Sequence, residues 1–213
     1  MLPAFYRRAR ATLAGLLLSS LGFAAAAQEY PALFDVSGVA ASDVLNIRAE
    51  PSAQATILGS LAPDAKGVEA IGLSEDGKWA RVSAGEASGW VALRFLTPVP
   101  AAPHGLPHPI ACYGTEPFWA LKLGPQTAEW SSPETPPQAL SVTHQAVAPQ
   151  GYFLTASDAV TDATKQAYYQ IMITKEHCSD GMSDRDFGFA TRIFHSSQAG
   201  NAVLRGCCTL NQH

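Results

Sequence analysis

From residue 44 onward, apolar and polar residues alternate in short runs separated by turn-forming residues. Leu45 and Ile47 fall on one face of a strand and Val44 and Asn46 on the other. Further strands are expected at 55–61, 67–72, 78–82 and 90–93. In the 78–82 run, Trp79 and Arg81 lie opposite Ala80 and Val82, after a hairpin turn at Ser74-Glu75-Asp76-Gly77. Five or so short strands result. After residue 110 the same period of two recurs at 119–123, 127–131, 139–144, 152–156, 168–174, 187–194 and 202–208. Seven or eight antiparallel strands in that span predict a small barrel or sandwich. A short helix is expected over 156–167, capped by Ser157 or Asp158. The expected fold class is all-β, a small barrel followed by a second antiparallel barrel or sandwich.

Two stretches break the alternation. Arg7, Arg8 and Arg10 precede an apolar run of about 14 residues and then Ala25-Ala26-Ala27, the pattern of a cleaved secretory signal over 1–27. The run is short of the roughly 20 residues that a membrane-spanning helix needs, so no stable membrane insertion is expected after cleavage. No cysteine precedes Cys112, which argues against a lipoprotein. The second stretch, 98–110, is rich in proline and reads as a semi-rigid linker between a module at 33–97 and another at 111–213. His104 and His108 within it are four apart, a spacing that aligns metal ligands only on a helix, and the prolines forbid one.

Composition sharpens this picture. Only 15% of the 213 residues are charged, and Gly 17 and Pro 15 supply the turns of a β protein. Cleavage of 1–27 removes three of the 14 basic residues and none of the 18 acidic ones, taking the formal charge from −4 to −7. No basic cluster remains for nucleic acid or for an anionic membrane surface.

All four cysteines, Cys112, Cys178, Cys207 and Cys208, lie in the second module, and in an exported chain an even count reads as disulfides. Adjacent cysteines make a strained pair. On a strand, Cys207 and Cys208 point to opposite faces, so one goes to Cys112 and the other to Cys178, in either arrangement. With no C-x-x-C motif, a redox role is disfavoured.

The order L-N-I-R-A-E-P-S at 45–52, I-L-G-S-L at 57–61, D-G-K-W-A-R-V at 76–82 and S-G-W-V at 88–91 resembles the bacterial SH3 domains of exported and cell-wall proteins. The resemblance implies a small curved β barrel that binds a cell-wall peptide or an envelope protein, without catalysis. Trp79 and Trp90 are its candidate ligand-binding residues: Trp90 reads as a core residue and Trp79 as the exposed aromatic.

Three patterns in the second module, C-Y-G-T-E-P-F-W at 112–119, C-S-D-G-M-S-D-R at 178–185 and G-C-C at 206–208, resemble a group of exported proteobacterial proteins without an assigned activity. Asp180, Asp184 and Asp186 lack the one-three-five spacing of a calcium loop, so neither a metal nor another cofactor is expected. Glu116, beside Phe118 and Trp119, is expected to be partly buried, with a salt bridge to Arg185 or Arg205 as the structural reading. The resulting expectation is a non-catalytic periplasmic protein of the cell envelope whose second module binds or inhibits a partner. The alternative is an envelope hydrolase using Glu116 with Asp180 or Asp184.

Overall fold

A computed structural model describes residues 29–100, 105–107, 109–158 and 166–210. The expected signal segment and His104 and His108 lie outside the described residues.

The first unit is a seven-stranded antiparallel sheet built from β1 (Ala32–Val36), β2 (Leu45–Arg48), β3 (Ile57–Leu61), β4 (Val68–Leu73), β5 (Trp79–Ala84), β6 (Ala87–Ala92) and β7 (Leu96–Pro98). Its order is β3-β2-β6-β5-β4-β1-β7. Strands near both ends of that order, β2 and β7, place Ile47 and Leu96 in the same core as Phe34, Val82 and Val91, so the sheet curls around itself. The alternation read from the sequence holds: Leu45, Ile47, Ala80 and Val82 are buried. β1 and β7 were missed, because Phe34 and Val36 follow a mixed run and β7 ends on a proline.

The second unit is a closed barrel of eight antiparallel strands. They are β8 (Ile110–Thr115), β9 (Phe118–Leu123), β10 (Thr127–Ser132), β11 (Thr135–Ala148), β12 (Gly151–Asp158), β13 (Tyr168–Ser179), β14 (Asp186–Ser197) and β15 (Gly200–Thr209). Each strand pairs with the next in sequence, and β15 closes on β8. Trp119, Leu121, Ile171, Ile173 and Ile193 fill the interior. Closure leaves no unpaired edge.

Of the helix expected over 156–167, residues 159–165 lie outside the described residues, and its expected start is strand. Ser157 and Asp158 end β12, and the Asp158 carboxylate accepts a hydrogen bond from the Ala167 amide at 2.9 Å, just ahead of β13. An Asp at a helix start and an Asp receiving an amide across a strand connection carry the same local signature.

Leu106 changes the reading of the proline-rich stretch. It is 2% exposed and belongs to the barrel core, so this part of the stretch is packed against the barrel. A single leucine among prolines carries no periodicity, which is why the sequence alone read it as spacer.

Both disulfides converge on β15. Cys112 pairs with Cys208, its direct partner across the β8–β15 ladder, with Cα atoms 3.9 Å apart, closer than the usual span. Cys178 pairs with Cys207 at 5.6 Å. Cys208 belongs to the interior cluster while Cys207 meets β13 on the outside, as expected for neighbours on a strand.

Leu106→Ala should destabilise the protein by about 2–4 kcal/mol in urea unfolding, the cost of deleting a buried leucine. A change within about 0.5 kcal/mol would show that the segment is not packed in solution.

Candidate binding clefts at and beside the junction

The two units meet along β4, β5 and β6 on one side and the start of β14 and end of β15 on the other. Glu69 in β4 is 6% exposed. Its carboxylate accepts hydrogen bonds from the Thr209 hydroxyl and, at 3.0 Å, from the Leu210 amide. The Arg185 guanidinium, which donates to Thr209 at 3.2 Å, adds a favourable charge to this carboxylate. Burial is the largest influence on this carboxyl and drives its pKa above the ordinary 4.5, with the two hydrogen bonds and Arg185 only partly opposing it.

A second polar bridge lies nearby. Arg81 Nε donates to Asp186 Oδ2 at 2.6 Å, and His177 Nε2 lies 2.8 Å from Asp186 Oδ1. The Asp186 amide donates to Ser88 at 2.8 Å. Burial acts to raise the Asp186 carboxyl, but His177 and Arg81 outweigh it and hold the pKa below the ordinary value. Lys175 reaches Glu29 at 2.7 Å. At Gly188 a Cβ would stand 2.1 Å from Pro31, so a side chain here would force the units apart.

Beside these bridges lies a cleft of about 240 Å3, walled by Trp90, Ile71 and Arg81 from the first unit and by His177 and Phe187 from the second. Trp90 is a correction to the sequence reading. It is half-buried on the outer face of β6, because Gly89 and Val91 take the inward positions. Gly89 is needed there, since a Cβ would come within 2.5 Å of Ile47. Arg81, opposite Trp90 in the ladder, sits over its ring at 5.3 Å. Trp79 is also half-buried but does not line this cleft. The register puts it two residues from Arg81 on the same face.

A larger cleft, about 730 Å3, opens on the outer wall of the barrel above the Cys178–Cys207 disulfide. It shares Glu176 and His177 with the junction cleft. All three cysteine-bearing patterns contribute to it. Gly206 is where β15 crowds β8: a Cβ would stand 2.1 Å from the Tyr113 carbonyl. Trp119 packs inside the wall against both Gly114 and Gly206, each of which has no room for a side chain.

The acidic residues singled out from the sequence divide. Glu116 and Asp180 both line the larger cleft; Asp184 does not, and instead pairs its backbone with Ala87 of the first unit. Glu116 is exposed rather than partly buried, because it sits at the tip of the β8–β9 turn. It forms no ion pair with Arg185 or Arg205 among the described residues. Asp180 organises a turn, accepting hydrogen bonds from the Met182 and Ser183 amides at 3.0 and 2.9 Å. Burial works to raise its pKa, but those amides, the Ser183 hydroxyl and Arg185 leave it below the ordinary value. A general acid needs the opposite shift. Among the described residues no group of three or more His, Cys, Asp or Glu is placed to hold a metal ion. Sequence reasoning gave no role to Arg81 or Glu69 and weighed Asp186 only for a calcium loop, because their partners lie 105 and 141 residues away.

Residues 43–97, within the first unit, match the family model of the bacterial SH3 domain. No curated protein and no solved structure matches the chain. The match identifies a bacterial SH3 domain over residues 43–97 and gives the disulfide-linked barrel no family. The group that the cysteine patterns resemble finds no support in them.

Glu69→Gln removes the buried titration while filling the same space. Because the folded carboxyl binds its proton more tightly than the unfolded one, wild-type stability relative to this variant should be greatest below the ordinary pKa and fall as pH rises from that value through the folded one. Urea unfolding from about pH 4 to about pH 8 reads this difference. A difference that stays flat or grows with pH would contradict the burial of an ionisable Glu69.

Proposed function

We propose that the protein is a non-catalytic binding protein of the bacterial cell envelope, with an SH3 module that takes a cell-wall peptide or an extended segment of an envelope protein at the junction cleft. The match of residues 43–97 to the bacterial SH3 domain carries this reading, since such domains commonly bind cell-wall components. Two disulfides support an extracytoplasmic location. The amino-terminal pattern of basic, apolar and small residues is that of an export signal and supports a periplasmic reading.

The cleft has the chemistry for such a ligand. Trp90 presents an aromatic surface already backed by Arg81, and Phe187 and Ile71 supply apolar walls. Arg81 is tied to Asp186 and Lys175 to Glu29, so the site's cations are oriented before a ligand arrives. Binding there involves both units, which gives the barrel a part in recognition. At pH 7 the exported chain carries a formal −7, which favours encounter with basic partners.

Isolated peptidoglycan sacculi should retain the purified protein in a sedimentation assay. Trp90→Ala should weaken retention by about tenfold, the effect of losing a central aromatic contact. Trp79→Ala should change it by less than about threefold. Equal loss in both variants would place the ligand on the outer β5–β6 face instead of the cleft. No retention of the wild type would remove the wall-peptide reading and leave an envelope protein as the ligand. Release of soluble wall fragments, stopped by Glu116→Gln, would overturn the non-catalytic reading.

A further inference from the structure

The larger barrel cleft contains an arrangement that neither the SH3 match nor the junction cleft uses. Arg192 on β14 and Arg205 on β15 are direct cross-strand partners. Both side chains line the cleft. Like charges placed opposite each other across a ladder repel. Arg192 is partly compensated by Glu176 at 3.7 Å. Arg205 has no ion pair among the described residues.

The matching group is Glu116. The β8–β15 ladder pairs Cys112 with Cys208 and Tyr113 with Cys207. Continuing that register puts Arg205 opposite Thr115, the residue before Glu116, and both Arg205 and Glu116 line the cleft. Glu116 and Arg205 thus belong to one cleft with opposite charges, yet they do not form an ion pair with each other. The cleft's other charged groups are committed: Asp180 to the Met182 and Ser183 amides, His177 to Asp186, and Glu176 to Arg192.

The cleft is also held in shape. Its floor is the Cys178–Cys207 disulfide, and its rims are joined where the Thr115 hydroxyl donates to the Asp180 carbonyl at 3.0 Å. The Cys112–Cys208 disulfide fixes β8 against β15 below Glu116 and Arg205. A fixed scaffold with one uncompensated cation and one uncompensated anion fits a ligand that carries both charges.

We propose that this cleft binds a zwitterionic ligand of the short-peptide class, with Arg205, aided by Arg192, receiving a carboxylate and Glu116 receiving an ammonium group. At about 730 Å3 the cleft has room for a short peptide. The site lies on the barrel and does not depend on the junction cleft being a binding site.

The test uses tri-alanine with free termini, its C-terminal amide and its N-acetyl form, titrated into the disulfide-bonded protein and followed by amide and arginine side-chain NMR. Free tri-alanine should shift the Gly181, Gly206 and Arg205 signals in a saturable way, with Kd on the order of 1 mM. Amidation or acetylation should each weaken binding about tenfold, the loss of one charge-assisted hydrogen bond. Arg205→Ala should abolish the preference for the free carboxylate, and Glu116→Gln the preference for the free amine. Both side chains are exposed, and unchanged spectra elsewhere will report an intact fold. Absence of saturable shifts up to about 20 mM would overturn the proposal. So would equal binding of all three peptides, or preferences that survive both substitutions. Trp90→Ala should leave this titration unchanged, which separates failure here from failure at the junction cleft.

Discussion

The enclosed carboxylate of Glu69 sets the relation between the two units. A carboxylate removed from water is costly unless its hydrogen-bonding capacity is met. Here both oxygens are met by residues at the end of β15, Thr209 and Leu210, in the other unit. Separating the units would expose this group to water but also strip apolar contacts such as Leu33 against the barrel core and Pro31 against Gly188. The orientation of the junction cleft follows from this contact, since β4 carries Glu69 and Ile71 and β14 carries Asp186 and Phe187.

β15 is the element on which most constraints meet. Over four residues it supplies Gly206 for close approach to β8, Cys207 to the outer disulfide, Cys208 to the inner one and Thr209 to Glu69. Period-two alternation explains how these duties coexist: Cys207 faces out and Cys208 faces in. The larger cleft and the junction cleft are consequently both referenced to one strand. They touch at Glu176 and His177, so the charges of one lie beside the other.

What the sequence disclosed was governed by range. Alternation exposed the interiors of most strands, because burial of Leu45 and Ile47 or of Leu121 and Leu123 is a local pattern with a period of two. The opposed directions of Cys207 and Cys208 were legible for the same reason. Short edge segments such as β7 and the buried Leu106 were not, because one or two residues carry no period. Trp90 was misplaced in the core because its size outweighed its register, whereas the adjacent Gly89 and Val91 hold the inward positions. The bridges of Glu69 and Asp186 depend on contacts between distant segments and leave no mark on local sequence. Glu116 was expected to be partly buried, but its exposure follows from the β8–β9 turn and not from its aromatic neighbours.

The central claim is that the two β units form one body through the Glu69 contact. Amide hydrogen exchange at Leu210 and Asp186 tests it directly, because each amide donates to a side chain of the other unit, Glu69 and Ser88 respectively. Both should exchange slowly, as amides inside β14 and β15 do, and Glu69→Ala should accelerate Leu210 by at least about tenfold while the barrel interior stays protected. Rapid exchange of both amides in the wild type, as at an open strand end, would contradict the account.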